Sequence, residues 1–237
     1  MIYSDNKIFN NKLNEKSASN NKDIIDLCIE AIDLLDGYSL YEIIHEQLMI
    51  LGVEEFIYSC ISNLNVKIGN AWAEGRIDVF GEQLYSKVIE RILKSETVKL
   101  KQQNTHKSPR VLLINAEKEH HIIGLMMVEI LLTKYGCDCL LETKGASSEK
   151  LSKLVIDGDY DIVAMSFTDV QHRSCVKSTL HEVRSCIPAH TLLWAGGSNK
   201  GLYQGKIEGV QVQSDLKKLK PMVDAWRSTY LWRGVAA

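Results

Sequence analysis

The sequence is poor in proline and has no excess of one charge. Only three of its 237 residues are proline, and none precedes Pro109. The formal net charge is −2, so the composition does not favour a non-specific polyanion-binding surface. No window holds eighteen consecutive apolar residues, which predicts that no segment spans a membrane. Residues 1–21 are polar and lack the apolar core of a signal peptide, so we predict a flexible N-terminal arm and a cytoplasmic location.

The spacing of the cysteines argues against a thiolate metal site. No C-x-x-C pair occurs, and most cysteines lie inside apolar runs. We therefore expect buried free thiols in a reducing compartment rather than disulfides or Cys-ligated zinc. The six residues are Cys28, Cys60, Cys137, Cys139, Cys175 and Cys186.

Residues 22–104 have the periodicity of amphipathic helices. Apolar residues recur at steps of three and four in four segments with short connections, which predicts an all-α four-helix bundle. We expect the first helix to end on Gly37 as its C-cap and Ser39 to cap the second helix. The second helix should stop at Gly52, and Asp78 should open the fourth.

The pattern changes after a polar linker at residues 102–109. Five short apolar runs alternate with helical segments over residues 105–237, which predicts an α/β, Rossmann-like (flavodoxin-like) domain with a parallel, doubly wound sheet. The last helix must bend or restart near Pro221. Ligands of such sheets bind beyond the carboxyl ends of the strands.

Three short motifs fall at predicted carboxyl ends of strands. The interval between the first and the second is 41 residues, and between the second and the third it is 27. Chance glycines in a turn-rich flavodoxin-like domain are the alternative explanation. The motifs are Glu119-x-His121-x-x-Gly124, Ser166-Phe167-Thr168 and Gly196-Gly197.

These motifs resemble the signature of cobalamin-binding domains that place a histidine below the cobalt. That signature has D-x-H-x-x-G, S-x-L or a relative, and G-G at intervals like these. Here Glu119 replaces the aspartate, and Thr168 stands where leucine or threonine occurs. The resemblance implies a cobalamin-binding domain at residues 105–237 and a helical cap at 22–104 over the upper face of the corrin. It also implies that adenosylcobalamin or hydroxocobalamin binds base-off, with its nucleotide tail inserted into the α/β domain.

On the cobalt side, the resemblance assigns His121 as the lower ligand. The corrin ring supplies four equatorial nitrogens, and a neutral imidazole suits a borderline metal. His120 is the competing ligand. Glu119 would accept a hydrogen bond from the second imidazole nitrogen and so hold the ring.

On the tail side, the resemblance assigns Ser166 as a hydrogen-bond partner of the nucleotide base. Gly124, Gly196 and Gly197 would let the backbone pass close to the tail, because glycine has no side chain to obstruct it. Further strand-end candidates for the tail pocket or the corrin are Thr168, Ser198, Thr143, Asn199, Asp169, Gln171 and His172.

The stretch WAEGRIDVFGEQLYS resembles the cap of light-sensing cobalamin regulators of the CarH type. Trp72 and Glu82 match that family's tryptophan and glutamate, whereas Gln83 and Ala73 stand where it has histidines. The resemblance implies that Trp72 packs against an adenosyl group as the upper ligand, and that Glu82 forms a hydrogen bond with the ribose of that group. Gln83, the next residue, is a further candidate for the cofactor site. A core tryptophan and a solvated glutamate are the alternative.

A cap and a cobalamin domain without a DNA-binding module are similar to the AerR/PpaA group of photosynthetic bacteria. The resemblance implies a light-responsive regulatory protein of the antirepressor type, which is not an enzyme. It would act through a transcription regulator of the CrtJ/PpsR type and tune photosynthesis genes, without binding nucleic acid directly.

Two other functions are open. A corrinoid methyl carrier of a methyltransferase system would share both domains and all three motifs, although Leu125 and Met126 replace the Lys-Asn that usually follows the glycine there. A haem sensor could use the same scaffold, but Ser166 and the Gly196-Gly197 pair argue against it because haem has no nucleotide tail.

Overall fold

The fold is described from a computed structural model over residues 23–116, 121–143, 147–169 and 171–235. The predicted arm at residues 1–21 lies outside the described residues. The chain divides into two compact units, one up to Ile89 and one from Glu90 onward. The predicted domain limits, 22–104 and 105–237, stay predictions.

The part of the chain before the sheet is helical, as predicted. Apolar side chains such as Ile44, Phe56 and Leu64 are buried and form its core. The elements are α1 (Ile24–Asp33), α2 (Gly37–Glu55), a π-helical turn (Phe56–Ile61), α3 (Ser62–Ala73) and α4 (Val79–Gln103).

The prediction that Gly37 ends the first helix is wrong. Helix α1 ends at Asp33, and Gly37 is the first residue of α2. The carboxylate of Asp36 accepts hydrogen bonds from both the backbone N–H and the hydroxyl of Ser39, at 3.0 and 2.6 Å. Asp36 is therefore the N-cap that was expected of Ser39, and these bonds lower the pKa of its carboxyl group.

Two other helix boundaries agree with the sequence. The Oδ1 atom of Asp78 accepts a hydrogen bond from the backbone N–H of Gly81 at 2.8 Å, so Asp78 caps α4 as predicted. Gly52 has φ 71° and ψ 162°, which interrupts the helical backbone at the predicted stop, although helical structure resumes after it.

The second unit contains a five-stranded parallel sheet, which confirms the predicted α/β fold. The strand order is β2-β1-β3-β4-β5, the flavodoxin-like order. A short 3-10 turn precedes the last helix, which begins two residues before Pro221, within the first turn where proline is tolerated. The elements are β1 (Arg110–Asn115), α5 (Ile123–Lys134), β2 (Asp138–Glu142), α6 (Ser148–Asp157), β3 (Ile162–Ser166), α7 (Arg173–Cys186), β4 (Leu192–Gly196), β5 (Val210–Val212) and α8 (Leu219–Val235).

The two faces of the sheet are covered by different helices. One face packs against α6 and α7 through Leu112, Val163 and Leu193, which share a core cluster with Leu151 and Leu180. Helix α5 packs on β1, β2 and β3 and contacts α8, which covers the opposite face. Side chains alternate between the faces along each strand, so the even and odd positions belong to different cores.

Polar side chains fasten the helices of the second unit. The ammonium group of Lys101 lies 2.7 Å from the carboxylate of Glu129, which is buried on α5. On α8, the guanidinium of Arg227 donates to the backbone oxygens of Ser108 and Tyr135, at 2.7 and 2.8 Å. These bonds attach α8 to the segment before β1 and to the end of α5.

The described cysteines are free thiols, as expected. Burial raises the pKa of Cys28 to about 12, that of Cys60 to about 11 and that of Cys137 to about 12. Such thiols stay protonated at neutral pH and are unsuited to metal ligation. Cys175 is exposed. None of the described helices has the length and apolarity that a bilayer span requires.

Candidate functional site

The carboxyl ends of three neighbouring strands bring the predicted motifs together. Asn115 at the end of β1 lies opposite Ser166 at the end of β3, and Ser166 lies opposite Gly196 at the end of β4. These three residues therefore form one row across the sheet. In a sheet of this strand order, β1 and β3 flank the point where the connections change direction, which is where ligands bind.

The first motif touches the second. His121 is exposed and lies two residues before α5 begins. Gly124 is in the first turn of α5, and a Cβ atom at this position would lie 3.3 Å from the hydroxyl oxygen of Ser166. A side chain there would crowd that hydroxyl, so glycine keeps Ser166 accessible. Glu119 and His120, the other candidates of this motif, lie outside the described residues.

The second motif is bonded to the third. The backbone N–H of Phe167 donates to the oxygen of Gly196 at 2.9 Å, and the N–H of Asn199 donates to the oxygen of Phe167 at 3.1 Å. Gly197 has φ +115°, a backbone conformation that residues with a side chain rarely adopt. A Cβ atom there would lie 2.2 Å from the backbone oxygen of Phe167. At Gly196 a Cβ atom would lie 2.6 Å from the oxygen of Gln213.

The two glycines of the third motif are therefore required by the protein's own backbone. The sequence interpretation assigned Gly196 and Gly197 to close approach of a nucleotide tail, and that role stays a prediction. The clashes show an independent reason for glycine at both positions, because the loop after β3 passes close to Gly197 and the segment after β5 passes close to Gly196.

Asn199 is the residue that joins these two loops. Its side chain is 1% exposed, and its amide nitrogen donates to the oxygens of Thr168 and Gln171 at 2.7 and 2.9 Å. Its side-chain oxygen accepts from the N–H of Gly201 at 2.9 Å. With these bonds Asn199 holds the two loops together, and the tail-pocket role that the sequence suggested for it stays a prediction. Ser198 beside it is exposed.

Sequence reasoning missed several residues at this edge of the sheet. Tyr203 donates its hydroxyl to the oxygen of Gly197 at 2.7 Å. Trp194, two residues before Gly196, is 4% exposed, and its indole N–H has no hydrogen-bond partner among the described residues. The available signal was a tryptophan inside an otherwise aliphatic strand. His172, which sequence analysis kept as a candidate, caps α7, with its Nδ1 atom 2.7 Å from the hydroxyl of Ser174.

The cap candidates belong to the first unit and are described within it. Trp72 is 51% exposed, so it is not a core tryptophan. Glu82 is half-buried and accepts a hydrogen bond from the hydroxyl of Ser86 at 2.8 Å, while Gln83 is exposed. Contact of these residues with an upper ligand stays a prediction.

The residues at the strand ends fit a corrin with a nucleotide tail. His121 is exposed, as a single axial ligand must be, and Ser166 faces a glycine rather than a side chain. The buried indole N–H of Trp194 lies two residues before Gly196, which belongs to the row at the strand ends. Among the described residues no three His, Cys, Asp or Glu side chains cluster to hold a bare metal ion. A corrin supplies the equatorial ligands itself, so one imidazole suffices.

Comparison with known proteins gives a structural likeness only. No protein-family model matches the chain, and no curated protein does. The monomethylamine corrinoid protein of Methanosarcina barkeri is 14% identical with a TM-score of 0.66, and the match covers 86% of this chain and 98% of that one. This likeness shows that the two proteins share a fold.

Two further solved structures are similar at lower scores. A cobalamin-binding protein from Desulfitobacterium hafniense DCB-2 is 14% identical, with a TM-score of 0.42 over 86% of this chain and 98% of that one. The methanol:cobalamin methyltransferase complex of Methanosarcina barkeri is 15% identical, with a TM-score of 0.38 over 85% of this chain and 78% of that one.

Proposed function

We propose that this chain is a corrinoid-binding protein that holds cobalamin base-off, with His121 as the lower ligand of cobalt. The observation that carries the proposal is the meeting of three motifs at one edge of the sheet. Gly124 lies against Ser166, and the backbone after Ser166 is bonded to Gly196. The shared fold with a corrinoid protein supports the same ligand class.

Each residue has a stated part in the proposed complex. His121 would hold the cobalt through one ring nitrogen, and Glu119 would accept a hydrogen bond from the N–H of the other ring nitrogen, which would fix the tautomer. The hydroxyl of Ser166 donates to the nucleotide base, in the space that Gly124 leaves open. Bound cobalamin supplies a cobalt centre that can hold and release an alkyl group on its upper face.

Among corrinoid proteins, we propose the methyl-carrier role first. The similar corrinoid protein is matched over 98% of its length, so nearly the whole of it has a counterpart in this chain. In this role the chain is not itself an enzyme: it presents a methylated corrinoid to separate methyltransferases. The Leu125-Met126 pair after Gly124 does not oppose this, because both side chains are buried in the α5 core.

A light-responsive regulator is the second candidate. Trp72 is half-exposed on the first unit instead of buried in its core, as a residue that packs on an upper ligand requires. In this role the chain acts on a transcription regulator of the CrtJ/PpsR type and binds no nucleic acid. Both roles place the protein in the cytoplasm, in agreement with the sequence prediction.

The first experiment is a titration of the purified apo-protein with hydroxocobalamin and adenosylcobalamin, followed by absorption spectroscopy. We expect one corrinoid per chain, a spectrum of cobalt with a lower nitrogen ligand in the wild type, and a base-off spectrum without that ligand in His121→Ala. The matched control is His181→Ala, which removes an exposed histidine from α7. A spectrum of His121→Ala that is the same as that of the wild type contradicts the assignment of His121 as the ligand. Binding of haem but of no corrinoid moves the assignment to the haem sensor.

A second measurement separates the two roles. The adenosylcobalamin complex is compared in the dark and after illumination by size-exclusion chromatography, with Trp72→Ala alongside. A light-driven change in hydrodynamic radius that Trp72→Ala abolishes supports the regulator. An unchanged radius in a complex that retains its corrinoid contradicts the regulator and leaves the carrier.

A further inference from the structure

Trp194 carries a buried polar group that the fold does not use. The side chain is 4% exposed, and its indole N–H has no hydrogen-bond partner among the residues that the structure describes. A buried donor without an acceptor costs free energy that a strand position in a close-packed core rarely tolerates. Leucine, valine or isoleucine would fill a strand core without that cost, so the N–H calls for an acceptor.

The position of Trp194 places it below the candidate tail site. Trp194 lies opposite Ala164 of β3, two residues before the pair formed by Ser166 and Gly196. Alternation along the strands puts Trp194 on the same face as Ser166, about 7 Å further into the sheet. That face is the one covered by α5, whose Gly124 adjoins the hydroxyl of Ser166. Ala164, the neighbour of Trp194 on β3, has a small side chain.

We propose, on the basis of the proposed function, that Trp194 selects the lower base of the corrinoid. Its indole N–H donates to the base that enters beside Ser166, so the site offers two donors to one heterocycle. Dimethylbenzimidazole has one ring nitrogen in the glycosidic bond and only one free acceptor nitrogen. Adenine has several. A base with a second acceptor satisfies both Ser166 and Trp194, whereas dimethylbenzimidazole leaves one donor unpaired.

The test compares three corrinoids: cobalamin, its adenine analogue, and cobinamide, which lacks the nucleotide tail. Dissociation constants are measured by spectral titration for the wild-type chain, for Trp194→Phe and for the matched control Trp226→Phe. We expect the wild type to bind the adenine corrinoid about tenfold more tightly than cobalamin, the worth of one satisfied hydrogen bond. Trp194→Phe should lose this preference, and Trp226→Phe should keep it. Cobinamide affinity should be the same in all three proteins.

Other outcomes overturn the inference. Equal binding of cobalamin and the adenine corrinoid by the wild type refutes base selection. An equal loss of both in Trp194→Phe means that the indole contacts the ribose or phosphate that the two tails share. Wild-type protein that binds no corrinoid, cobinamide included, refutes the proposed function itself.

A second measurement needs no substitution at this position. The indole resonances of 15N-labelled wild-type protein are assigned by elimination, with phenylalanine variants of Trp72, Trp226 and Trp232. We expect the adenine corrinoid to move the indole proton of Trp194 downfield and cobalamin to leave it near its position in the apo-protein. A resonance that neither corrinoid moves contradicts the proposed hydrogen bond.

Discussion

Replacement of Gly197 by alanine tests the junction on which the site is built. Gly197 has φ +115°, and a Cβ atom there would lie 2.2 Å from the oxygen of Phe167, more than an ångström short of ordinary contact. The matched control is Gly205→Ala. Gly205 has φ +88° and open space around its Cβ position. Both substitutions impose the backbone penalty, and only the first adds a clash.

The expected magnitudes follow from these two terms. Forcing a non-glycine residue into such a conformation costs about 1–3 kcal/mol, and overpacking against an immobile backbone adds about 1–3 kcal/mol. We therefore expect Gly205→Ala to lower the free energy of unfolding by about 1–3 kcal/mol and Gly197→Ala by about 2–6 kcal/mol. For a chain of this length, 1 kcal/mol shifts the melting temperature by about 2–4 °C.

Thermal unfolding followed by circular dichroism measures both variants. A melting temperature of Gly197→Ala that is about 2–12 °C below that of Gly205→Ala, or failure of the first variant to fold, agrees with the close approach. Equal melting temperatures would refute it, because then the loops after β3 and β4 do not cross at the described distance.

Three other predictions concern binding, stability and reactivity. Gly124→Ala should weaken corrinoid binding about tenfold, because the added methyl group crowds the hydroxyl of Ser166, and should change the free energy of unfolding by less than about 0.5 kcal/mol. Its control is Gly69→Ala, in open space within α3. This variant should stabilise the protein by about 0.5–1 kcal/mol and leave corrinoid affinity unchanged. Equal affinities in titrations of the two variants would count against the tail site. Lys101→Met leaves the buried carboxylate of Glu129 unpaired and should lower the free energy of unfolding, measured with denaturant, by about 1–3 kcal/mol. The control Lys94→Met breaks an exposed ion pair and should cost less than about 0.5 kcal/mol. A cost at Lys101 that is no larger than the cost at Lys94 contradicts the buried pair. A thiol reagent should modify Cys175 first in the native protein, and persistence of the fast phase in Cys175→Ser refutes that assignment.

Much of the fold could be predicted because its signals are local. The five strands are short apolar runs between polar turns, and each observed strand falls on a predicted run, although β1 begins one residue earlier, at Arg110. The fourth helix begins after Asp78, whose carboxylate accepts the N–H of Gly81 three residues later. Such caps act within a few residues, so the sequence contains all that decides them.

The errors came from positions where the local rule was outweighed. Glycine is the residue type usual at the end of a helix, which favoured Gly37, but it is Leu35 that has the positive φ, 52°, that ends the first helix. Leucine rarely adopts this conformation, so no local pattern predicts it. The carboxylate of Asp36 then accepts two hydrogen bonds from Ser39, so the second helix begins at Gly37.

Contacts between distant segments were the other limit of sequence reasoning. The motifs predicted that Ser166 and Gly196 would meet at one edge, and the register confirms it. The sequence could not show that the glycines of the third motif are demanded by backbone oxygens, or that Asn199 is buried between loops. These roles depend on packing between residues that are far apart in the sequence.

The most direct test of the central claim is electron paramagnetic resonance of the corrinoid-loaded protein after reduction to the cobalt(II) state. One axial 14N ligand splits each cobalt line into a triplet, and a 15N ligand splits it into a doublet. If His121 binds the metal, protein labelled with 15N-histidine gives doublets, His120→Ala keeps them, and His121→Ala loses them. Triplets that persist in the labelled wild-type protein would contradict the account, because the cofactor's own base would then still occupy the lower position.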